Sequence, residues 1–355
     1  MGPDLSHVTA FTEHVGSGEP QPRAFYALDP PGEHYYLFRP TRAAFETVAR
    51  MITGNRTKRK LGAYSLRASG CWHPLARLIP GISPRSVEVA ADFEFDVAVF
   101  SNRTRLLALD QETVYTMRSS ETDQVAQEIR VRTELPPEIN TPELYAYDLS
   151  YPYFSEQLIS GRHPVSPVSD WDQLLDGLEQ LTYLYRRDPE PVSTATVVER
   201  AYDRLDQRGL LDEQSLETAF ELAERLGLPE QLYRATTHGD YHTRNLIIDD
   251  DTRYIVDWEA CGRDLVIRDF FRPFTIAYYD LRNPTPFIGL CSLDNRSSTI
   301  FSQYLDVVGE YAMPDPSTYR GLPVLHLLVA LSRKHRGEFW NSNYELLTAI
   351  IDRLD

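Results

Sequence analysis

Short runs of β-branched and aromatic residues dominate the pattern of hydrophobic and polar positions between residues 93 and 160. Three such runs occur in succession, at 95–100, 105–109 and 113–117, and polar turns separate them. Runs of this length and composition predict β-strands, and three in a row predict an antiparallel meander. Apolar residues then recur at helical spacing over 123–135, which predicts a helix, and two further strands are expected between residues 140 and 160.

From residue 161 onwards the pattern changes to the longer period of amphipathic helices. An apolar stripe of leucines marks 170–187, and the segments 197–227, 298–311 and 318–354 have similar spacing. Strand-rich sequence followed by helix-rich sequence predicts an α+β fold, with an antiparallel sheet plus helix first and a mostly helical part second. No apolar run approaches the roughly 18 residues that a membrane span needs, and the N-terminus has no signal-peptide pattern.

The first 92 residues differ from both of these regions. Residues 1–34, rich in Pro, Gly and Ser, predict an extended lead-in, and 35–38 predict a strand. Helices are predicted over 41–50 and 57–68. We therefore expect three parts: an N-terminal extension at 1–92, a sheet-containing lobe at 93–160, and a helical lobe at 161–355.

One stretch, Thr236 to Glu259, combines a predictable local structure with reactive side chains. It reads TTHGDYHTRNLIIDDDTRYIVDWE, that is, a polar loop, an apolar run, an acidic turn, and a second apolar run that ends on an acid. Two β-branched runs joined by such a turn predict a β-hairpin. Because a hairpin returns the chain to its starting end, Asp240, Asn245 and Asp257 are expected to converge.

These three side chains suit phosphoryl transfer. Asp240 can orient and deprotonate an acceptor hydroxyl, while the amide oxygen of Asn245 and the carboxylate of Asp257 can hold Mg²⁺ against nucleotide phosphates. The alternative is an ordinary turn followed by an unrelated strand end. The joint order and spacing of the three residues argue against that alternative.

The pattern H-G-D-x-x-x-x-N, followed by a strand and D-W-E, resembles the catalytic core of the aminoglycoside phosphotransferase and choline kinase group, the small-molecule relatives of protein kinases. The resemblance implies a protein-kinase-like two-lobed fold that uses ATP, or alternatively GTP, with Mg²⁺. It implies that Asp269 braces the loop from behind. The catalytic residues that it implies are His238, Asp240 and Arg244, with His238 in a shaping position, and the metal ligands are Asn245 and Asp257.

The same resemblance implies a Lys on the third strand, a partner Glu on the following helix, and a Gly-rich turn after the first strand. This chain has Arg118 and Glu128 at the first two positions and Ser101-Asn102-Arg103-Thr104 at the turn. Arg can bind phosphate through its planar fork, whereas Glu128 also fits a plain surface charge. Adenine is expected against backbone groups of the interlobe hinge, at Glu156, Gln157 and Leu158.

The charge balance indicates the environment of the protein rather than its substrate. The formal net charge is −16, and only three of the 36 Lys and Arg residues are lysines. An acidic, lysine-poor surface indicates a halophilic archaeon, because a GC-rich genome would explain only the scarcity of Lys. The acidity also disfavours nucleic acid as a partner. Three widely spaced cysteines, Cys71, Cys261 and Cys291, argue against disulfides and zinc and predict a reducing cytoplasm.

Residues 50–67 depart from this acidic composition. Their Arg and Lys residues, with almost no acid between them, fit a peripheral contact with anionic lipid, a phosphorylated sugar or nucleotide phosphates. The alternative is a solvated helix face that pairs with the acidic body of the protein. A second basic cluster at 333–336 fits either an anionic or sugar acceptor or a solvated helix end.

The sequence thus predicts an ATP-dependent kinase that phosphorylates a hydroxyl group of a small molecule or of a sugar or glycan precursor. The alternative is a non-catalytic protein of the same fold that binds a nucleotide or serves as a scaffold. The missing Lys and Gly-rich turn favour that alternative, and the intact Asp240, Asn245 and Asp257 oppose it. Neither the acceptor nor the oligomeric state follows from the sequence.

Overall fold

A computed structural model of the chain describes residues 5–29, 35–51, 82–101, 103–118, 124–209, 211–292, 294–308, 319–333 and 337–354. These residues form two compact units. The first contains the described residues of Met1–Arg130 and Pro142–Ile159, and the second those of Val131–Thr141 and Ser160–Asp355. The first unit holds an antiparallel sheet and the second is mostly helical, so the predicted α+β fold is confirmed.

The first unit is built on an eight-stranded sheet in which all neighbouring strands are antiparallel. Its strands are β1 (Pro20–Leu28), β2 (Tyr35–Phe38), β3 (Ile82–Ala90), β4 (Val97–Phe100), β5 (Arg103–Ala108), β6 (Thr113–Arg118), β7 (Leu144–Asp148) and β8 (Tyr153–Gln157). They are arranged in the order β3-β1-β2-β4-β5-β6-β8-β7. The predicted meander is confirmed as β4 to β6, and the two further strands as β7 and β8.

Helices pack on both faces of this sheet. They are α1 (Ser6–Val15), α2 (Arg42–Met51) and α3 (Gln124–Thr133). Because successive side chains of a strand point to opposite faces, Leu37 packs in the cluster that contains Phe11 of α1, while Phe38 packs against Phe45 of α2. The helix predicted over 41–50 and the one over 123–135 are therefore both confirmed.

The extended lead-in predicted for residues 1–34 is wrong, because this part of the chain contains α1 and β1. Prolines 20 and 22 concealed the strand in the sequence. Both lie where β1 pairs with β3 alone, since β2 begins to pair with β1 only at Tyr26. On the edge of β1 that does not face β3, no described strand is paired at these positions, so a proline there removes no ladder hydrogen bond from that edge. The strand β3 was also not predicted, and the helix predicted over 57–68 lies outside the described residues.

The described residues of the predicted extension share one sheet with those of the predicted lobe 93–160. β2 pairs with β4 through Tyr35↔Phe100 and Phe38↔Val97, so the extension continues the sheet directly. The compact units separate around residues 130–160 instead.

The second unit contains eight helices among its described residues, together with two small antiparallel sheets. The helices are α4 (Trp171–Tyr185), α5 (Thr194–Gln207), α6 (Glu213–Leu226), α7 (Ile267–Leu281), α8 (Thr285–Ser292), α9 (Asn295–Val308), α10 (Leu322–Arg333) and α11 (Glu338–Leu354). The strands are β9 (Glu190–Ser193), β10 (Gln231–Thr237) and β13 (Gly262–Leu265) in one sheet, and the hairpin β11 (Leu246–Asp249) and β12 (Thr252–Ile255) in the other. The predicted hairpin is confirmed. None of the described helices is both long and apolar enough to cross a membrane.

Helix α4 packs closely against the residue that follows Asp240. The leucines of its predicted stripe at 174, 178, 181 and 184 are buried in the core of the second unit. The Tyr241 hydroxyl donates a hydrogen bond of 2.7 Å to the Leu174 carbonyl oxygen. A Cβ atom on Gly177 would lie 2.2 Å from the Tyr241 hydroxyl oxygen. Gly177 therefore makes room for this contact.

We expect Gly177→Ala to destabilise the protein although Ala is the better helix former. Ala adds about 1 kcal/mol of helix propensity, but displacing a fully buried tyrosine costs about 1–3 kcal/mol and shifts the loop beside it. Denaturant unfolding measures the net loss. Gly262→Ala is the control, since its Cβ would meet no atom within 4 Å. A Gly177→Ala protein that is as stable as the unaltered chain would contradict the close packing inferred here.

Candidate active site

The loop between β10 and β11 is joined to the end of β12 through one residue, Val256. The Val256 N–H donates to the Asn245 carbonyl oxygen (3.0 Å), and the Val256 carbonyl oxygen accepts a hydrogen bond from His238 Nε2 (3.0 Å). Both ends of the loop are therefore held against the residue that precedes Asp257. Through these bonds the structure brings Asn245 and Asp257 together, as the hairpin predicted.

Asp257 has a backbone conformation that non-glycine residues rarely adopt. Its φ and ψ angles are 74° and 56°, in the left-handed region, directly before a short 3₁₀ turn at Trp258–Ala260. The Trp258 indole is fully buried and donates to the Ile255 carbonyl oxygen (3.0 Å), which stabilises the turn. Strained residues of this kind concentrate at functional sites, where the surrounding structure holds them.

Asn245 is buried and its side chain has a defined orientation. The amide nitrogen Nδ2 donates to the Asp240 carbonyl oxygen (2.9 Å), so the oxygen Oδ1 is the atom that can bind a cation. Among the described residues, no group of three or more His, Cys, Asp or Glu side chains could hold a metal. An amide oxygen and one carboxylate fit Mg²⁺ when nucleotide phosphates and water supply the remaining oxygens.

The predicted catalytic role of His238 is not supported by its position. The ring is fully buried and lies 4.6 Å from the Trp258 ring. Its Nδ1 accepts a hydrogen bond from the Asp240 N–H (3.3 Å), while Nε2 donates to the Val256 carbonyl oxygen. With both ring nitrogens bound to main-chain groups, His238 positions the loop and does not face a substrate. The shaping position implied by the resemblance describes it better.

Asp269, in the first turn of α7, holds the start of the loop. Its two carboxylate oxygens accept the N–H groups of His238 and Gly239, each at 2.9 Å, and one also accepts the Tyr185 hydroxyl (3.0 Å). Gly239 has φ +80°, and a Cβ atom there would lie 2.3 Å from the Ala260 carbonyl oxygen, so only glycine fits. The predicted bracing role of Asp269 is confirmed.

The burial of Asp269 also affects its ionisation. Desolvation of the fully buried carboxyl raises its pKa to about 6, although the hydrogen bonds from Gly239 and His238 and the charge of Arg268 oppose the shift. The carboxyl is thus still mainly ionised at neutral pH, which suits its contact with three donors, two N–H groups and one O–H group. It loses that charge at a higher pH than an ordinary aspartate does.

The carboxylate of Asp240 has a different partner on each oxygen. Oδ1 accepts Arg272 Nε and also lies 2.6 Å from Arg272 Nη2, while Oδ2 lies 3.5 Å from His242 Nε2. Burial raises the pKa of Asp240, but the His242 hydrogen bond and the Arg272 charge lower it by more, so the pKa lies below its usual range. Asp240 is therefore ionised at neutral pH and can accept a hydrogen bond from a hydroxyl group.

The sequence did not predict Arg272 or His242 as site residues. His242 has its Nδ1 bound to the Arg244 N–H (3.1 Å), which leaves the hydrogen on Nε2, the nitrogen that faces Asp240. Arg272 lies three residues after Asp269 on α7. Residues one helical turn apart lie on the same face of a helix, so Arg272 lies on the face that carries Asp269 towards the loop. This spacing is the sequence signal that could have identified Arg272.

Arg244 lies at the surface next to these residues. Its side chain is 59% exposed, and its guanidinium pairs with Asp280 near the end of α7. Arg244 belongs to the loop, but its side chain pairs with Asp280 and has no contact with Asp240 among the described residues. A catalytic role for Arg244 stays a prediction.

In the first unit, Glu128 has a different described partner from the one predicted. The Glu128 carboxylate pairs with Arg103, the first residue of β5, and both side chains are almost completely buried. Arg103 and Arg118 are directly opposite each other in the β5–β6 register. The Arg118 side chain lies outside the described part of the chain, so its phosphate contact stays a prediction. The alternative interpretation of Glu128 as a surface charge is wrong.

Of the predicted hinge residues, Glu156 and Gln157 are the last two residues of β8 and Leu158 follows them, near the end of the first unit. The Gln157 N–H donates to the Glu143 carbonyl oxygen (2.9 Å), and the Leu158 N–H donates to the Glu112 carbonyl oxygen (2.7 Å). Since both of these N–H groups are used within the unit, an adenine contact at Gln157 or Leu158 has to use carbonyl oxygens. The adenine contact at Glu156, Gln157 and Leu158 stays a prediction.

Comparison with known proteins gives one family match and several structural similarities. The model of the phosphotransferase enzyme family matches residues 93–286. Similar solved structures include choline kinase LicA from Streptococcus pneumoniae (13% identity, 71% of this chain and 90% of that chain covered, TM-score 0.44) and macrolide 2′-phosphotransferase MphH from Brachybacterium faecium (14%, 73% and 88%, 0.46). A choline/ethanolamine kinase family protein from Mesorhizobium loti is another (12%, 71% and 86%, 0.45). A search of curated proteins finds no match.

We expect Glu128→Ala to destabilise the first unit strongly. Removing the carboxylate leaves the Arg103 guanidinium buried without this partner, which costs about 3–5 kcal/mol. The double variant Arg103→Met with Glu128→Leu replaces both charges by apolar groups, and we expect it to recover most of that loss. Denaturant unfolding of the three proteins measures the effect. A loss below about 1 kcal/mol in Glu128→Ala would contradict the inferred cost of removing this buried partner of Arg103.

We expect Asp269 to make stability depend on pH. The pKa in the folded state is above the ordinary value, so the protonated carboxyl stabilises the fold at low pH and this contribution is lost as pH rises through about 6. Between pH 5.5 and 7.5 the unaltered protein should lose about 1 kcal/mol relative to Asp269→Asn, which does not titrate. Parallel urea unfolding at both pH values measures this difference. An unchanged difference would show that Asp269 has an ordinary pKa.

Proposed function

This chain belongs to the phosphotransferase enzyme family, and from that membership we propose that it transfers the γ-phosphoryl group of ATP to a hydroxyl group of a small molecule or of a sugar or glycan precursor. One observation carries the proposal. Asp240 has an ionised carboxylate, its carbonyl oxygen orients the amide of Asn245, and both Asn245 and His238 are hydrogen-bonded to Val256, the residue before Asp257. These are the groups that phosphoryl transfer to an alcohol requires.

Asp240 orients the acceptor through one of its two oxygens. Arg272 occupies Oδ1, so the hydroxyl group donates to Oδ2, on the side of His242. The hydroxyl oxygen then forms a bond to the γ-phosphorus while the bond from that phosphorus to the bridging oxygen of ADP breaks. The hydroxyl proton passes to Oδ2 and from there to solvent.

Asn245 Oδ1 and the Asp257 carboxylate are the residues that would hold Mg²⁺. The metal, when bound, supplies positive charge that neutralises the phosphates during transfer. On the nucleotide side, the proposal assigns phosphate contact to Arg118 and adenine contact to the carbonyl oxygens near Leu158. Asn245 is held from both sides, through its amide by Asp240 and through its carbonyl by Val256, so its Oδ1 does not need to reorganise.

The proposal places the enzyme in a reducing cytoplasm with high salt. Cys261 and Cys291 are buried free thiols, and burial raises the pKa of each to about 12, so neither is a ready nucleophile. The net charge of −16 favours a protein that stays folded in concentrated salt. The basic segment 50–67 lies mostly outside the described residues, and its contact with anionic lipid stays a prediction.

We expect ATP and Mg²⁺ together to raise the melting temperature, and Asp257→Ala to remove the Mg²⁺-dependent part. A ligand at about 100 times its Kd contributes roughly 2.7 kcal/mol, which for a chain of 355 residues corresponds to an upward shift of about 3–4 °C. Thermal melting with ATP, GTP or no nucleotide, each with and without Mg²⁺, in high and low salt, measures this shift and shows which nucleotide binds.

Asp240→Asn separates catalysis from binding. It keeps the shape of the side chain but removes the charge that accepts the proton, so we expect the nucleotide-dependent shift to persist while phosphoryl transfer falls at least about 100-fold. A chain that shows the shift and no transfer to any acceptor would favour the non-catalytic nucleotide-binding protein. The absence of any shift would overturn the nucleotide site itself.

A further inference from the structure

The guanidinium of Arg272 is held beside the catalytic carboxylate in a fixed orientation. Its Nε and Nη2 both lie 2.6 Å from Asp240 Oδ1, and its plane lies over the Phe339 ring with the central carbon 4.2 Å from the ring centroid. The side chain is 13% exposed. An ion pair and a ring contact together restrict the rotamers that the side chain can adopt.

Most of the donors of this guanidinium remain unused. An arginine side chain has five N–H donors; here Nε donates to Asp240 Oδ1, and Nη2 lies at ion-pair distance from the same oxygen. Within the described part of the chain, Nη1 and the second hydrogen of Nη2 have no acceptor. These nitrogens are not fully buried, so solvent reaches them, and an anionic ligand can take the place of that solvent.

The charge on Arg272 is only partly compensated. Burial lowers its pKa, Asp240 raises it, and Arg268, one helical turn earlier on α7, lowers it, with a net result below the ordinary value. Arg268 and Arg333 share the carboxylate of Asp264, and the charge of Arg268 also acts on the buried carboxylate of Asp269. Burial and the nearby arginines also lower the pKa of His326 to about 3. An anion would bind here through the hydrogen-bond donors of Arg272 that Asp240 does not use.

We propose that Arg272 binds an anionic group of the acceptor, so that the substrate is a hydroxyl compound with a carboxylate or phosphate near the hydroxyl that is phosphorylated. This inference rests on the proposed function. One guanidinium contacts both Asp240 and the anion, so the reacting hydroxyl at Oδ2 and the anion are separated by only a few bonds. A cationic acceptor is disfavoured, because its charge would lie next to Arg272.

A purely positioning role for Arg272 makes a different prediction. If the guanidinium served only to hold Asp240, its loss would lower transfer to every acceptor by the same factor. If it also binds the acceptor, its loss raises the KM of anionic acceptors selectively. The comparison of matched acceptors therefore separates the two roles.

The test uses a set of acceptors with one carbon skeleton. Glycerol is neutral, glycerate carries a carboxylate, and glycerol phosphate carries a phosphate, while choline provides a cationic alcohol. ADP formation from ATP and Mg²⁺ is measured with each, and binding is measured separately from the acceptor-dependent rise in melting temperature with ADP and Mg²⁺ present. The proteins are the unaltered chain, Arg272→Met, Arg272→Lys and Arg263→Met. Arg263 pairs with Asp188 and Glu190 at the surface and is the matched control.

We expect the anionic compounds to bind and react in preference to glycerol and choline. Arg272→Met should raise the KM of the preferred anion at least about tenfold and leave the KM of ATP within about twofold, because a charge-assisted, forked contact is lost. Arg272→Lys should recover part of the affinity for the anionic acceptors. We expect the recovery to be larger for glycerol phosphate than for glycerate, because the Lys ammonium acts as a point charge and lacks the forked contact that a carboxylate prefers. Arg263→Met should change neither value.

Three results would overturn the inference. The first is a preference for glycerol or choline, the second is a preference for anions that survives in Arg272→Met, and the third is a failure of both anions to bind while ATP and Mg²⁺ still raise the melting temperature. The last result leaves the proposed function intact. If ATP and Mg²⁺ did not raise the melting temperature, the proposed function would be overturned instead. In that case, comparing anion binding by the unaltered chain and by Arg272→Met would still decide whether Arg272 binds an anion.

Discussion

The contact of the Asp269 carboxylate with two consecutive N–H groups is the interaction on which the site depends. It joins the first turn of α7 to His238 and Gly239 and so sets where the loop begins. The contact requires a buried carboxylate, which raises the pKa of Asp269 to about 6, and a glycine in the left-handed region next to it. Both features are unfavourable alone and are stabilised by the packed second unit around them.

Beyond Asp269, the loop is held by hydrogen bonds to the main-chain N–H and carbonyl groups of Val256. His238 and Asn245 contact this residue from opposite ends of the loop, and it directly precedes Asp257. The Asn245 amide is in addition oriented by the Asp240 carbonyl oxygen, so contacts with main-chain atoms fix the groups of the site. Such preorganisation suits phosphoryl transfer, in which the protein mainly positions groups and charges.

The two oxygens of the Asp240 carboxylate have different surroundings, and this difference distinguishes their roles in the site. Arg272 occupies Oδ1 and is itself held against Phe339, whereas Oδ2 faces His242 at a longer distance. One oxygen is thus bound firmly within the protein and the other is available to a substrate. In the proposal above, the N–H donors of Arg272 that Asp240 does not use bind the anionic group of the acceptor.

The sequence by itself determined the meander, the helical second part and the hairpin, and it placed Asp240 and Asn245 in one loop, because these features depend on local periodicity and short-range spacing. It failed for α1, β1 and β3, where prolines and long-range pairing concealed the strands. Only the tertiary structure decided that Glu128 pairs with Arg103, that His238 is buried, and that Arg272 contacts Asp240. Each of these contacts joins residues from separate elements, and their distance in space is set by packing rather than by local sequence.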